Sequence, residues 1–199
     1  MSNTAINALR KRRTQYALGK SLPLSIENTT ALIREAVKHS PSAFNSQSSR
    51  AVILFLAQSD RLWDITKQAL REVVPAEAFG ETEARIDSFA AGGGTVLFYE
   101  DQGPIELLQE QFPLYTDNFP VWSEHASGMA QLAVWTALAD AGIGASLQHY
   151  NPLIDEAVAK AWDIPISWKL RAQMPFGSNE KSFTEKSYID DKIRFRAYF

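Results

Sequence analysis

Apolar residues run round the whole segment 121–141. Ala126, Met129, Ala130, Leu132, Ala133, Trp135, Thr136, Ala137 and Leu138 would leave a helix there with little polar surface. Such a helix has to be covered by a core or by another subunit. Gly142 stands where a C′ glycine would end it. The remaining elements must supply the cover. Apolar runs at 51–57 and 95–99 read as buried strands, with further strands at 145–147 and 168–174. Helical patterns occupy 4–17, 25–37, 61–74 (with Asp60 as N-cap), 76–90 and 153–162, and a helix followed by an irregular aromatic segment covers 104–120. Helices and buried strands interleave, so the expected class is α+β or α/β: a sandwich with a small central sheet. Alternating apolar residues at 193–199 read as a strand able to add to a sheet on another subunit.

At 199 residues, 45% of them hydrophobic, the chain suits one domain spanning 1–199 with a real core. The absence of cysteine excludes disulfides, thiolate zinc sites and thiol nucleophiles. A net charge of −3 argues against a general nucleic-acid binder. The first residues lack a leader pattern, and no apolar run approaches the ~20 residues of a membrane span, so a cytoplasmic protein is expected. His39, His125 and His149 have no metal-type partners at helical spacing, so no metal site is expected. Gly92-Gly93-Gly94 lacks the ending of a phosphate loop and reads as a turn for close packing. Asp190-Asp191 sits in a polar tail. With so little acid–base or nucleophilic machinery, catalysis here would rely on a cofactor.

The segment Ser40-Pro41-Ser42-Ala43-Phe44-Asn45-Ser46-Gln47-Ser48-Ser49-Arg50 packs hydroxyls and amides between a helix and an apolar strand. Neutral donors and acceptors gathered at one place suit a polar, planar, uncharged ring. Phosphate capture would come from elsewhere: Lys11-Arg12-Arg13-Thr14 near one end, Lys181 and Lys192 near the other.

Four segments, in order, resemble the nitroreductase family of FMN-dependent oxidoreductases. They are Arg12-Arg13-Thr14-Gln15-Tyr16, Ser40–Gln47, Gly142-Ile143-Gly144-Ala145-Ser146-Leu147-Gln148-His149-Tyr150-Asn151, and Pro175-Phe176-Gly177 followed by Glu180-Lys181-Ser182-Phe183. The Leu-Gln-His-Tyr-Asn-Pro form resembles the short subgroup with yeast and lactic-acid-bacterial members. The resemblance implies a nitroreductase-like sandwich with a mainly antiparallel sheet surrounded by helices. It also implies a homodimer with C-terminal strand exchange and FMN at the subunit interface. It assigns Arg12 to the phosphate or the pyrimidine edge of the flavin, and Arg13, Thr14, Tyr16, Lys181 and Lys192 to the phosphate side. Ser42, Ala43 and Asn45 fall at the ring, with Gln47 supporting that turn. Leu147, Gln148 and His149 lie against the ring, with Gln148 and His149 as the catalytic pair through a backbone N–H near flavin N5. Phe112, Tyr115, Phe119 and Tyr150 are the candidate substrate wall. The implied activity is ping-pong hydride transfer from NAD(P)H to nitroaromatics, quinones or similar small acceptors. The alternative is a flavin-binding regulatory or stress-response protein with little turnover. Two departures stand out: Tyr16 replaces a basic residue, and Ser48-Ser49 replaces an aromatic found after the glutamine in many relatives.

Overall fold

The computed structural model describes residues 3–199. Met1 and Ser2, at the head of the stretch read above for a leader, lie outside the described residues. Helix α1 (Thr4–Lys11) leads to a short strand β1 (Leu18–Gly19) and helix α2 (Ile26–Lys38). Strand β2 (Ser49–Phe55), helices α3 (Ala57–Arg71) and α4 (Phe79–Ala90) and strand β3 (Gly94–Asp101) follow. Next come α5 (Gln102–Gln111), α6 (Asn118–Asp140), β4 (Gly144–Ala145), α7 (Asp155–Trp162), β5 (Trp168–Asn179) and α8 (Asp191–Arg194).

The five strands form one sheet in the order β1-β5-β3-β2, with β4 also on β5, and all these pairings are antiparallel. Central β3 is buried from Gly94 to Glu100, which explains its unbroken apolar run. Its side chains alternate between two cores. Val96 and Phe98 join Ala172, Met174 and Phe176 of β5 against Ile33 of α2 and Val134 and Leu138 of α6. Leu97 and Tyr99 join Leu62 and Trp63 of α3, Ile86 and Phe89 of α4, and Val158 of α7 on the other face. Leu170 also lies on that second face although Ala172 lies on the first. A bulge explains it: Phe98 pairs with Ala172 and Tyr99 with Leu170, so Arg171 is the extra residue and the alternation flips there.

The apolar helix exists as α6, and its surface divides. Phe119, Ala126, Ala130, Val134 and Leu138 are buried. Val121, Met129 and Leu132 stay 38–52% exposed. Its end is a Schellman closure. Gly142 takes φ 81°, its N–H donates to Ala139 O, and the Ile143 N–H donates to Leu138 O.

Four boundaries differ from expectation. The first helix stops at Lys11 rather than 17, because Thr14 bridges Ala145 and the Gln15 N–H donates to Ala145 O. Pairing with the sheet wins over local helical propensity. Asp60 is not an N-cap. Leu56, at φ 48°, turns the chain into α3, and the Asp60 carboxylate meets Lys20 at 2.9 Å. The aromatic segment is shorter than read, since α6 already starts at Asn118. The C-terminal alternation does not make a strand within this chain. The Asp190 carboxylate caps the Lys192 N–H at 2.7 Å and starts α8, which the Phe195 N–H closes on Asp191 O at 2.9 Å, and 195–199 then run exposed.

The glycine run permits close approach, as read. A Cβ on Gly93 would meet Lys20 O at 2.9 Å, and one on Gly94 would meet Leu54 O at 2.7 Å. Gly177 is tighter still, since its Cβ would fall inside contact distance of the Gly19 carbonyl oxygen and 3.0 Å from Gly93 N. These are backbone atoms that cannot rotate away. Gly177→Ala should therefore cost about 1–3 kcal/mol. At this chain length that lowers the melting midpoint by roughly 2–4 °C per kcal/mol, measurable by calorimetry. An unchanged midpoint would contradict the close approach.

Candidate functional site

The polar turn is held in a conformation that few sequences adopt. Phe44, Asn45 and Gln47 have φ of 54°, 52° and 48°. Left-handed backbone at non-glycine residues is uncommon, and such strain gathers at functional sites. Local bonds hold it: the Asn45 N–H donates to Ser42 O at 3.1 Å and the Gln47 N–H to Ser42 Oγ at 2.9 Å. The exposed side-chain amides of Asn45 and Gln47 have no protein partner among the described residues. They are oriented donors and acceptors facing outward.

Two consecutive carboxylates sit behind this turn. Ser48 Oγ and Ser49 Oγ donate to the two Glu100 oxygens at 2.6 and 2.5 Å. Arg50 pairs with Asp101 at 2.9 Å and donates to the Gln47 carbonyl. Glu100 is fully buried. Burial pushes its pKa up, while the two hydroxyl bonds and the charge of Arg171 pull it down and that of Glu124 adds to the rise. Burial also raises Asp155. A raised carboxyl binds its proton more tightly in the folded chain, so its contribution to stability is greatest below the unfolded pKa. It declines as pH climbs from the ordinary range near ~4 through the raised value. Glu100→Gln does not titrate. The melting midpoint of this variant relative to wild type should therefore rise as pH climbs from about 4. A difference constant with pH would show that Glu100 is unshifted.

The cationic residues meet on the other side. Arg12, Arg13, Thr14, Tyr16 and Lys181 line one cleft of about 640 Å³, together with Gln15, Ser182, Thr184 and Lys186. The cleft has no acidic lining residue, and among the described residues none of its four cations pairs with a carboxylate. Arg12 lies 4.4 Å over the Trp135 ring, and burial, helped by the Arg13 charge, lowers its pKa. Arg13 donates to Thr184 O at 2.6 Å. Gln15 is the internal clamp. Its Nε2 donates to Lys181 O at 2.7 Å and its Oε1 accepts from the Ala17 N–H at 3.1 Å. Sequence reasoning passed over Gln15 and Lys186: the first lay inside a quoted motif without a role, and the second lies in the polar tail with nothing to mark it. Lys192 is not brought to this cleft and sits exposed on α8.

Gln148 and His149 differ. The Gln148 N–H donates to Gln173 O at 2.7 Å and its carbonyl accepts from Gln173 N at 2.9 Å, while its side chain donates to Ser146 Oγ at 3.0 Å. Leu147 packs against the α2–α6 core. His149 is exposed and its N–H has no partner among the described residues, so it is the free backbone donor of the pair.

The aromatic wall centres on a residue that sequence reasoning did not assign to it. The Phe44 ring lies 5.0 Å from Phe112, 5.3 Å from Phe119, 6.1 Å from Tyr115 and 6.0 Å from Trp122, nearly parallel to the last at 16°. Phe112 and Tyr115 are each 39% exposed, whereas Phe119 is buried and supports them. Trp122 also went unread, because it lies inside the apolar run that signals α6. Tyr150 does not join this cluster. Its ring packs edge-on to Trp63 at 6.0 Å in the opposite core.

An antiparallel sheet between helical layers thus carries an acid-free cationic cleft and an amide-bearing strained turn. The nitroreductase family model matches residues 9–178, and this chain belongs to that family of oxidoreductases. It is 36% identical over 190 residues to nitroreductase FRM2 of Saccharomyces cerevisiae, covering 94% of each chain. Against the putative nitroreductase HBN1 of the same yeast it is 37% identical over 192 residues, covering 96% of this chain and 95% of that one. Among solved structures, nitroreductase CinD from Lactococcus lactis in complex with chloramphenicol superposes with a TM-score of 0.90 at 50% identity, over 98% of this chain and 100% of that one. A putative nitroreductase in complex with FMN from Desulfovibrio desulfuricans shares the fold, with a TM-score of 0.72 at 17% identity, over 100% of this chain and 99% of that one.

Proposed function

We propose that this chain is a homodimeric, cytoplasmic FMN-dependent oxidoreductase. It takes hydride from NAD(P)H and delivers it to flat, electron-poor acceptors such as nitroaromatics and quinones, with the whole chain acting as one domain. The observation that carries this reading is the cleft with four cations and no carboxylate. A phosphate dianion needs charge-assisted donors, and unpaired arginines beside threonine and serine hydroxyls provide them. The residues fit FMN. Arg12, Arg13, Thr14 and Lys181, with Lys186, would hold the phosphate, and Ser42, Asn45 and Gln47 would hold the polar edge of the ring. When bound, FMN supplies a two-electron carrier that no side chain here could replace.

The protein's own groups do the rest. The free His149 N–H offers an oriented donor where charge arrives. The rings of Phe44, Phe112, Tyr115 and Trp122 offer apolar faces for a planar acceptor. Chloramphenicol and 4-nitrophenol, the compounds in complex with the 50%-identical CinD, are both nitroaromatic. The dimer accounts for a feature of the single chain: the cationic cleft and the Ser42–Gln47 turn line separate cavities. A ligand touching both sets would draw them from two copies. The exposed groove between α1 and α6, of about 550 Å³ and lined by Leu9, Met129 and Leu132, gives those copies an apolar contact.

The test is the visible spectrum of the purified protein, followed by release and mass identification of its chromophore, then steady-state kinetics with a quinone or a nitroaromatic. Released FMN and parallel-line double-reciprocal plots support the proposal. Bound FMN with extremely slow turnover supports the regulatory alternative. A protein that neither carries nor takes up FMN overturns both.

A further inference from the structure

We propose that Glu100 is a positioning residue for the ring-holding turn, acting through Ser48 and Ser49. This inference rests on the FMN reading for its functional consequence, though not for its structural part. A turn with three left-handed non-glycine residues does not hold itself, because each such residue costs about 1–3 kcal/mol and persists only where its surroundings over-determine it. The bonds inside the turn number few, and Ser42 makes most of them. The stronger restraint comes from outside.

Residues 47–50, the end of the turn and the start of β2, are held by contacts that lead back to the end of β3. Arg50 of the Asp101 ion pair holds the Gln47 carbonyl. Ser48 gives its carbonyl to the Asp101 N–H at 2.9 Å and its hydroxyl to Glu100 at 2.6 Å. Ser49 gives its hydroxyl to the other Glu100 oxygen at 2.5 Å. Glu100 in turn lies in the field of Arg171, the bulge residue, which is itself paired with Glu124 of α6 at 2.5 Å. A fully buried carboxylate is a costly thing to keep in a core. Removing it alone would leave the hydroxyls of Ser48 and Ser49 without their acceptor, and Ser48 is fully buried. Glu100 is therefore the fixed point to which the exit of the turn is tied. The pair Ser48-Ser49 is then the feature that matters in this chain: two hydroxyl donors on adjacent residues match the two oxygens of one carboxylate.

The experiment compares Glu100→Met, which keeps length and loses both acceptors, with Glu100→Gln, which keeps hydrogen-bonding capacity. The first readout is amide hydrogen exchange in the FMN-free protein. Exchange at 42–50 should quicken in Glu100→Met while α4 stays unchanged, and unchanged exchange at 42–50 overturns the brace. The second readout is FMN affinity by flavin fluorescence. Removing partners that orient contacting groups costs about 10–100-fold in metal sites, and a loss of about tenfold or more is expected here for Glu100→Met, largely rescued in Glu100→Gln. Equal loss in both variants, or affinity equal to wild type in Glu100→Met, overturns the proposal. Ile86→Val, a mild core deletion in α4, serves as the control for general destabilisation. It should bind FMN as wild type does, and a loss matching that of Glu100→Met overturns the proposal as well. Should Glu100→Met fail to fold, the Ser48→Ala/Ser49→Ala double variant removes the same bonds from the other side, with the same expected and overturning results. Absence of FMN binding by the wild type would count against the FMN reading and leave the exchange result to decide the brace.

Discussion

Replacing Arg12 and Arg13 together by alanine should weaken FMN binding by about 10²–10⁴-fold and cut the preference for FMN over riboflavin by the same factor. A hydrogen bond to a charged group contributes roughly 1.5–3 kcal/mol, and each 1.4 kcal/mol is a factor of ten in affinity. Lys181 and Lys186 remain in the cleft and should hold the loss towards the lower end. Part of the effect will be indirect, because Arg13 also ties down the tail by donating to Thr184 O at 2.6 Å. Riboflavin separates these contributions, since it carries the same ring and no phosphate. Parallel fluorescence titrations should show FMN affinity collapsing in the double variant while riboflavin affinity stays near wild type. The wild-type affinity should also fall more steeply with salt than that of the variant, as expected for a partly exposed ionic contact. Equal losses for FMN and riboflavin would mean that the arginines support the fold of the cleft rather than the phosphate.

The sequence made the buried elements legible where packing and local pattern agree. The run at 95–99 is apolar on both sides because β3 lies at the centre of a covered sheet, and Gly142 stops α6 for the steric reason that glycine usually stops helices. It misled where tertiary pairing overrides local preference. Arg12 to Tyr16 carry helical residue types, yet the sheet edge at Ala145 takes their backbone, and that pairing is what turns the cations into one cleft. The 193–199 alternation reads as a strand for a second copy's sheet, and within this chain Asp190 caps a short helix over Asp191–Arg194 instead. The candidate site divides the same way. Residues inside recognisable motifs, Arg12, Arg13, Thr14 and Lys181, were found together in the cleft. Phe44 and Trp122 were passed over because an aromatic in a polar turn and an aromatic in an apolar helix announce nothing until their rings meet. The Glu100 brace was out of reach of any pattern, since Ser48 and Glu100 lie 52 positions apart and only the β2–β3 register brings them together.

His149→Pro should lower the rate of reduction by NAD(P)H by about 10²–10³-fold, while His149→Ala should keep most of it. That magnitude is what removal of one preorganised backbone-type donor costs elsewhere in enzymes. The contrast follows from which groups are already engaged. Gln148 is tied to Gln173 through both its N–H and its carbonyl, at 2.7 and 2.9 Å, so its backbone has no donor left to offer. Among the described residues the His149 N–H is free, and the exposed imidazole has no partner. Alanine deletes the ring and keeps the N–H, whereas proline deletes both. Proline also restricts the residue before it to extended backbone. Gln148 pairs with Gln173 in an antiparallel bridge, so that restriction is already met. Stopped-flow reduction of FMN-loaded protein measures the rate, and the flavin spectrum confirms that both variants remain loaded. If alanine and proline cost the same, the imidazole rather than the backbone does the work. If neither costs anything, the donor is not at residue 149, and with Gln148 engaged at both ends the catalytic donor would have to be sought outside this pair.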